Sequence, residues 1–254
     1  MRLVSWNVAG RLQRQPDQAA AVLAMAPDVV ALQEVTVNSL PLWRASLAEA
    51  GLTHTVTPLD AGRPPKPRRL AVLTASRTPL DPLELGVDLP WPERAVSVRT
   101  EDGIEILNVH SPIAPSPGLA KVLTHEALYA YAHTRDRIVL CGDLNTPRRT
   151  HEDGSVMTFA YASNGKLRPE RGERWDAAER ALVHTLRAEH GWEDAFLDAP
   201  ERTWTFKDDR GGWRLDHLLV KGVEVNARAY AHDWRRSGLS DHSAIVADLR
   251  GTDP

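Results

Sequence analysis

The chain has 254 residues, 42% hydrophobic and 26% charged, with a formal net charge of −3 and a single cysteine. That balance suits a globular protein with a substantial core; it excludes a disordered chain, a disulfide scaffold and a protein whose whole surface binds polyanions. A mildly negative total still allows a nuclease, because a metal site concentrates acids that the ion neutralises while basic segments line a rim.

In chain order, residues 2–8 alternate as a strand, and residues 15–25 form an alanine-rich helical stretch stopped by Pro27. Residues 29–32 read as a second, buried strand and 40–50 as a helix ending at Gly51, so the chain opens β-α-β. Strands follow over 53–57, 69–74, 95–100 and 104–109, the last two joined by an Asp102-Gly103 hairpin turn. The proline-rich stretches 58–67 and 78–92 are expected as surface loops. A helix over 119–133, a core strand over 137–141 and a helix over 175–189 lead to strands over 203–206, 215–220, 223–230 and 243–249. This alternation is compatible with two sheets packed face to face and flanked by helices. The first strand starts at Arg2, leaving no room for a cleavable leader, and no apolar run nears the ~18 residues of a membrane span, so a cytoplasmic protein without membrane contact is expected.

Five polar fragments each close an apolar run: Trp6-Asn7, Gln33-Glu34, Asn108-Val109-His110, Gly142-Asp143-Leu144-Asn145 and Ser240-Asp241-His242. They span residues 6–242, which predicts one domain over 1–254 with its polar groups gathered at one rim of a sheet. Glu34 beyond a buried strand is costly unless a cation or donors meet it; a hard divalent ion fits, and so does an ordinary salt bridge. If extended geometry persists, Asp143 and Asn145 face one side, the carboxylate suited to orient or deprotonate a water and the amide to donate to a phosphate oxygen. The same stretch also reads as a turn and helix cap. An imidazole at His242 or His110 can take a proton from water or stabilise a phosphoryl transition state, though each alone also reads as a structural histidine. Asp216 can orient His242, and Asn7 can anchor Glu34 or touch phosphate. Candidate basic rim segments are 66–69, Arg148-Arg149, Arg168 with Arg171 and Arg174, and Arg235-Arg236, each alone equally a solvated face.

With Asn108-Val109-His110-Ser111-Pro112, Gly142-Asp143-Leu144-Asn145-Thr146-Pro147 and Arg214-Leu215-Asp216-His217, this ordered set resembles the endonuclease/exonuclease/phosphatase superfamily over residues 2–249. The resemblance implies an α/β fold, a four-layer sandwich of two mixed β-sheets packed face to face and flanked by helices. It implies a Mg²⁺ or Mn²⁺ cofactor and in-line hydrolysis of a phosphoester by an activated water. It makes Glu34 the principal metal ligand with Asn7 and Asp241 close by, has Asp143 and Asn145 position the nucleophile and phosphate, and sets His242 as the central imidazole supported by Asp216. His110 is expected to assist at the leaving oxygen. At that position abasic-site endonucleases carry tyrosine, whereas pancreatic-type deoxyribonucleases and several lipid phosphodiesterases carry histidine. The segments around Trp204 and Trp213 resemble those that bring aromatic groups against a damaged nucleotide, so both, with Arg148, are candidate substrate contacts; core packing is the other reading of the tryptophans. The inositol polyphosphate phosphatase branch ranks low, because its tryptophan-cysteine-aspartate-arginine stretch is here Trp213-Arg214-Leu215-Asp216. A monomeric nuclease acting on DNA or RNA without a protein partner is expected. A small-molecule or lipid phosphoesterase and a catalytically silent binding protein are the competing readings.

Overall fold

The computed structural model describes residues 1–64, 69–116, 118–198, 205–206 and 212–252. In order the elements are β1 (Arg2–Asn7), α1 (Gln15–Ala24), β2 (Val29–Thr36), α2 (Leu40–Glu49), β3 (His54–Val56), β4 (Leu70–Ser76) and β5 (Leu80–Leu83). There follow β6 (Ala95–Thr100), β7 (Glu105–His110), α3 (Ala120–Ala132), β8 (Ile138–Asp143), β9 (Arg149–Thr150), β10 (Val156–Met157) and α4 (Gly172–Arg180). A π turn (Ala181–Thr185) continues α4 into α5 (Leu186–Glu189), and β11 (Glu193–Asp194), β12 (Asp216–Lys221), β13 (Val223–Ala231), α6 (His232–Arg236) and β14 (Ala244–Gly251) complete the set.

Among the described residues the strands form two six-stranded mixed sheets, β13-β14-β1-β2-β4-β3 and β11-β12-β8-β7-β6-β5, beside a small β9-β10 ribbon. Period-two alternation decides what each face covers. Leu3, Val29 and Ala31 of the first sheet meet Ile106, Val139, Cys141 and Leu218 of the second in the core between them. The residues one position on, Val4, Trp6, Val30 and Leu32, turn outward onto Val22 of α1 and Trp43 and Leu47 of α2. On the far side Leu107, Val109 and Leu140 pack against Leu128 and Ala132 of α3 and Leu182 and Leu186. The result is helices, sheet, sheet, helices. No helix among the described residues is long and apolar enough to cross a membrane.

Several boundaries differ from the sequence-based expectation for definite reasons. The second strand does not stop at Leu32 but runs to Thr36 through a register shift between Leu32 and Val35, where Glu34 takes a left-handed φ of 60°. A bulge of this kind re-aims a side chain without ending the strand. The 78–92 stretch is not all loop: it contains β5, with Pro82 tolerated because β5 lies at a sheet edge. The helix expected over 175–189 begins at Gly172 and is broken by the π turn. The first half of the strand expected over 203–206 lies outside the described residues, and Phe206 bridges to both Trp213 and His242.

The two sheets are clasped just beneath the rim by buried amides. Gln33 donates to Asn108 Oδ1 (2.8 Å), and Asn108 donates to the Leu73 carbonyl (3.1 Å) and Thr74 Oγ1 (3.2 Å). Gly142, with φ 123°, completes this junction: a Cβ there would lie 2.1 Å from the Val109 carbonyl oxygen. Because the obstacle is backbone of the adjacent parallel strand, it has no rotamer with which to yield. Gly142→Ala is expected to cost at least about 2 kcal/mol of stability, read from urea unfolding midpoints, whereas Gly165→Ala, in open space, should cost no more than its own backbone strain.

Candidate active site

Three strand ends put the chemistry side by side. His110 is in register with Asp143, and Asp143 with Asp216, on the adjacent strands β7, β8 and β12. Asn7 ends β1 and faces them across the gap between the sheets. Its Nδ2 donates to Asp143 Oδ2 (2.9 Å) and to Glu34 Oε1 (3.0 Å), while its Oδ1 accepts the Ala9 N–H (2.9 Å). Asn7 therefore turns its donors to the acids and its oxygen to the backbone, which makes it a bridge between carboxylates and an anchor for Glu34, the residue expected as principal metal ligand. The expected extended run from Asp143 to Asn145 is replaced by a turn. Asn145 has φ 51°, its N–H donates to Asp143 Oδ1 (2.9 Å), and its side-chain amide donates to the Ser111 carbonyl (2.8 Å).

His242 is held from several sides. Trp6 Nε1 donates to its carbonyl (3.0 Å), its N–H donates to Ser240 Oγ (3.2 Å), and that hydroxyl donates to the Asn7 carbonyl (2.6 Å). The ring places Nδ1 2.9 Å from Asp216 Oδ2 and Nε2 3.8 Å from Asp143 Oδ2. His110 Nε2 approaches the same Asp143 oxygen, also at 3.8 Å, and Glu34 Oε1 at 3.5 Å. Asp143 thus belongs to two clusters, one with Glu34 and His110 and one with Asp216 and His242. Asp241 stands outside both, near enough to Glu34 for its charge to raise the Glu34 pKa.

Burial raises the pKa of Glu34, against the opposing Asn7 hydrogen bond, and raises that of Asp143, against the charge of His242. The imidazoles are driven apart. Burial, with the charges of Arg94 and His242, holds His110 well below the ordinary histidine value. Burial acts the same way on His242, but Asp216 and Asp143 override it and raise His242 to about 10. One ring is neutral and the other cationic within a few ångströms, an arrangement that separates base from acid.

The donor set fits a hard divalent cation. The side chains of Asp143 and Asp216 are 2% and 3% exposed, Glu34 is 22% exposed, and Asp216 Oδ1 has no hydrogen-bond partner. Such carboxylate oxygens are what Mg²⁺ selects. Glu34 reaches solvent with Asp241 beside it, and these two would hold the ion.

Some site residues escaped sequence reasoning. Arg94, between the expected 78–92 loop and the 95–100 strand, puts Nη1 3.4 Å from His110 Nε2 and its guanidinium 4.6 Å over the Trp91 ring. Its one signal was a charged pair, Glu93-Arg94, immediately before an apolar strand. Below the rim, Lys121 and Glu179 form an ion pair (2.6 Å) with both side chains 1% exposed. Lys121 also donates to the Asn145 carbonyl (2.7 Å), and Glu179 accepts from Thr146 Oγ1 (2.6 Å), the Phe159 N–H (2.8 Å) and Trp175 Nε1 (2.7 Å). The loop after β8 is thereby tied to α3 and α4. The half-buried Trp213 packs against Phe206 (6.2 Å) and Phe159 (5.7 Å), and Arg148 lies over Phe159 at 5.7 Å. Trp204 lies outside the described residues.

Two face-to-face mixed sheets with acids and imidazoles gathered on one rim define the class, an α/β sandwich with a carboxylate-imidazole centre. The chain belongs to the Endonuclease/Exonuclease/phosphatase family, whose sequence model matches residues 4–242. Members of this family are phosphoester hydrolases. No curated protein matches the chain. Among solved structures it is similar to a 3'-5' exonuclease from Neisseria meningitidis, with 19% identity over 98% of this chain and 99% of that one and a TM-score of 0.69. It is similar to an AP endonuclease from Archaeoglobus fulgidus, with 22% identity, the same coverage and a TM-score of 0.68. A Neisseria 3' phosphatase bound to a product DNA hairpin matches at 20% identity over 98% and 99% of the chains, with a TM-score of 0.67.

In metal-free protein, nitrogen-detected NMR titration should find the His242 ring still protonated above pH 8, its pKa raised, and the Asp216→Asn variant should bring that pKa down by more than one unit. A His242 that titrates near 6.5 in both proteins would contradict the pairing.

Proposed function

We propose that this chain is a divalent-metal-dependent phosphodiesterase that hydrolyses nucleic acid strands. The observation that carries the reading is Asp143, a buried carboxylate with a neutral and a cationic imidazole each 3.8 Å from one of its oxygens. Glu34 and Asp241 would hold a Mg²⁺ or Mn²⁺ ion, which would supply positive charge to the phosphate.

Asp143, its pKa pushed up toward neutrality, is matched to take a proton from the attacking water. The water oxygen bonds to phosphorus as the bond to the leaving oxygen breaks. His242, cationic and steadied by Asp216, offsets charge on the phosphate oxygens and gives its Nε2 proton to the leaving oxygen. His110, whose pKa burial holds well below the ordinary histidine value, is the weaker acid catalyst of the two and assists at the leaving oxygen by hydrogen bonding beside Glu34. Arg94 adds a fixed positive charge on the His110 side, and Asn145, set by Ser111 and Asp143, supplies a neutral amide to the phosphate.

Two observations favour a nucleic acid over a lipid ester. The apolar residues of the 78–92 stretch turn inward, Leu89 onto the core and Trp91 beneath Arg94, so they form no exposed apolar hairpin. The half-buried rings of Phe206 and Trp213 stand beside His242, where an unpaired base can stack.

The test is cleavage of end-labelled single-stranded, duplex and abasic DNA and of RNA with Mg²⁺ or Mn²⁺, alongside bis-p-nitrophenyl phosphate. Wild-type protein should cut a polymer, and Glu34→Ala and His242→Ala should each lose about 100-fold or more with the fold intact by circular dichroism. Near-normal turnover in both variants would remove these residues from the centre; turnover of the small ester alone would move the substrate to a small phosphoester.

A further inference from the structure

Several arginines of this chain are paired with acids, among them Arg2 with Asp248, Arg44 with Asp60, Arg174 with Glu126, Arg180 with Asp176 and Arg214 with Asp194. Others bond backbone carbonyls, as Arg77, Arg137 and Arg187 do, and one group gathers around a single aromatic residue. Among the described residues, Arg148, Arg149 and Arg171 have no carboxylate within 4.0 Å, and Arg168 has only Glu170 at 3.6 Å, itself exposed. These cations lie close together: the Arg168 N–H bonds the Ala160 carbonyl next to Phe159 (2.9 Å) and the Arg171 N–H bonds the Arg168 carbonyl (3.0 Å). Burial and the charge of Arg168 lower the pKa values of Arg148 and Arg171, although Glu179 and Glu170 oppose this at Arg171. A half-buried cluster of like charges is costly unless an anion from solution joins it.

The cluster surrounds an aromatic ring. Phe159 has the Arg148 guanidinium 5.7 Å and Lys121 Nζ 5.2 Å from its centroid, and Arg171 donates to its carbonyl. From Phe159 an aromatic track leads to the reacting imidazole: 5.7 Å to Trp213, 6.2 Å on to Phe206 and 4.8 Å on to His242. All three residues of the track are half-buried.

We propose that Arg148, Arg168 and Arg171 form a second phosphate subsite, which holds a phosphodiester of the same strand away from the scissile one while an unpaired base stacks on Phe159. The inference rests on the hydrolase reading for its scissile site and extends it to a substrate class: a single strand or unpaired strand end at least one nucleotide longer than the reacting ester. Aromatic faces between the arginines suit a nucleotide strand, because bases stack on rings while their phosphates meet the cations. Free phosphate shares the anion chemistry and not the stacking.

The experiment has two arms. In the first, fluorescein-labelled short single-stranded DNA and RNA are bound in EDTA at several salt concentrations, by anisotropy. The Arg148→Gln/Arg168→Gln double variant should bind about tenfold or more weakly, with the salt slope reduced by about 0.7 for the one phosphate no longer neutralised. Phe159→Leu should weaken binding with its salt slope intact, and it covers the case in which the double variant fails to fold. In the second arm, the ratio of kcat/KM for the oligonucleotide to that for bis-p-nitrophenyl phosphate should fall at least tenfold in the double variant. Oligonucleotide binding and that ratio both at wild-type values would overturn the subsite, even if calorimetry found that the variant had lost inorganic phosphate. An equal loss on both substrates would overturn it too, by assigning the arginines to the reacting centre. Binding through the cluster by a wild-type protein that cleaves no polymer would leave the subsite standing and remove the nuclease reading.

Discussion

The amide of Asn7 stands between two carboxylates, Glu34 and Asp143, that would otherwise repel each other across the gap between the sheets. Two unit charges about 4 Å apart repel by about 4 kcal/mol at the effective dielectric typical of proteins. Two hydrogen bonds to charged acceptors return about 1.5–3 kcal/mol each. The bridge therefore about cancels the repulsion and leaves the cost of burying the charges, which is why both pKa values rise. The fold tolerates this because the inter-sheet clasp of Gln33 and Asn108 fixes the strands beneath, and Gly142 lets β8 approach β7 without a side chain between them. A divalent cation would offset the charge of such a rim.

Around that bridge the site separates roles by environment. His242 and His110 are the same residue type at similar distances from Asp143, yet Asp216 keeps one protonated while Arg94 and burial keep the other neutral. Behind them, Glu179 gathers Lys121, Thr146, Trp175 and the Phe159 backbone, so one buried acid sets both the turn carrying Asn145 and the ring of the arginine cluster. The reacting centre is acidic and the neighbouring surface basic, and the formal charge of −3 conceals the contrast. On the proposed reading, a phosphate strand would be drawn to the basic face and would meet the acids only where a divalent ion offsets them.

Much of this was legible in the sequence. Strands read from alternation fall within a few residues of their observed limits, because the inward and outward faces of each sheet have different partners. Glu34, His110, Asp143, Asp216 and His242 were visible as polar residues closing or opening apolar runs, and the fold brings all five to one rim. What escaped were features set by tertiary contact. The bulge that aims Glu34 and the direction in which Asn7 presents its amide depend on partners 27 to 136 residues away, whereas the turn at Asn145 was one of the two readings its local sequence offered, its N–H bonding Asp143 two residues back. Arg94 was hidden by the prolines around it, and Lys121 and Glu179 by helices whose apolar pattern drew attention from charges on the inward side.

The central claim is that the acid rim is completed by a divalent ion. Its most direct test is urea unfolding of wild-type and Glu34→Gln protein with EDTA and with Mg²⁺, alongside calorimetric titration of the ion. The account predicts that Mg²⁺ binds wild-type protein and stabilises it by about 2.7 kcal/mol at one hundred times its dissociation constant, and that Glu34→Gln loses most of this gain. Folded wild-type protein that takes up no Mg²⁺ or Mn²⁺, or a Glu34→Gln variant stabilised as much as wild type, would contradict it.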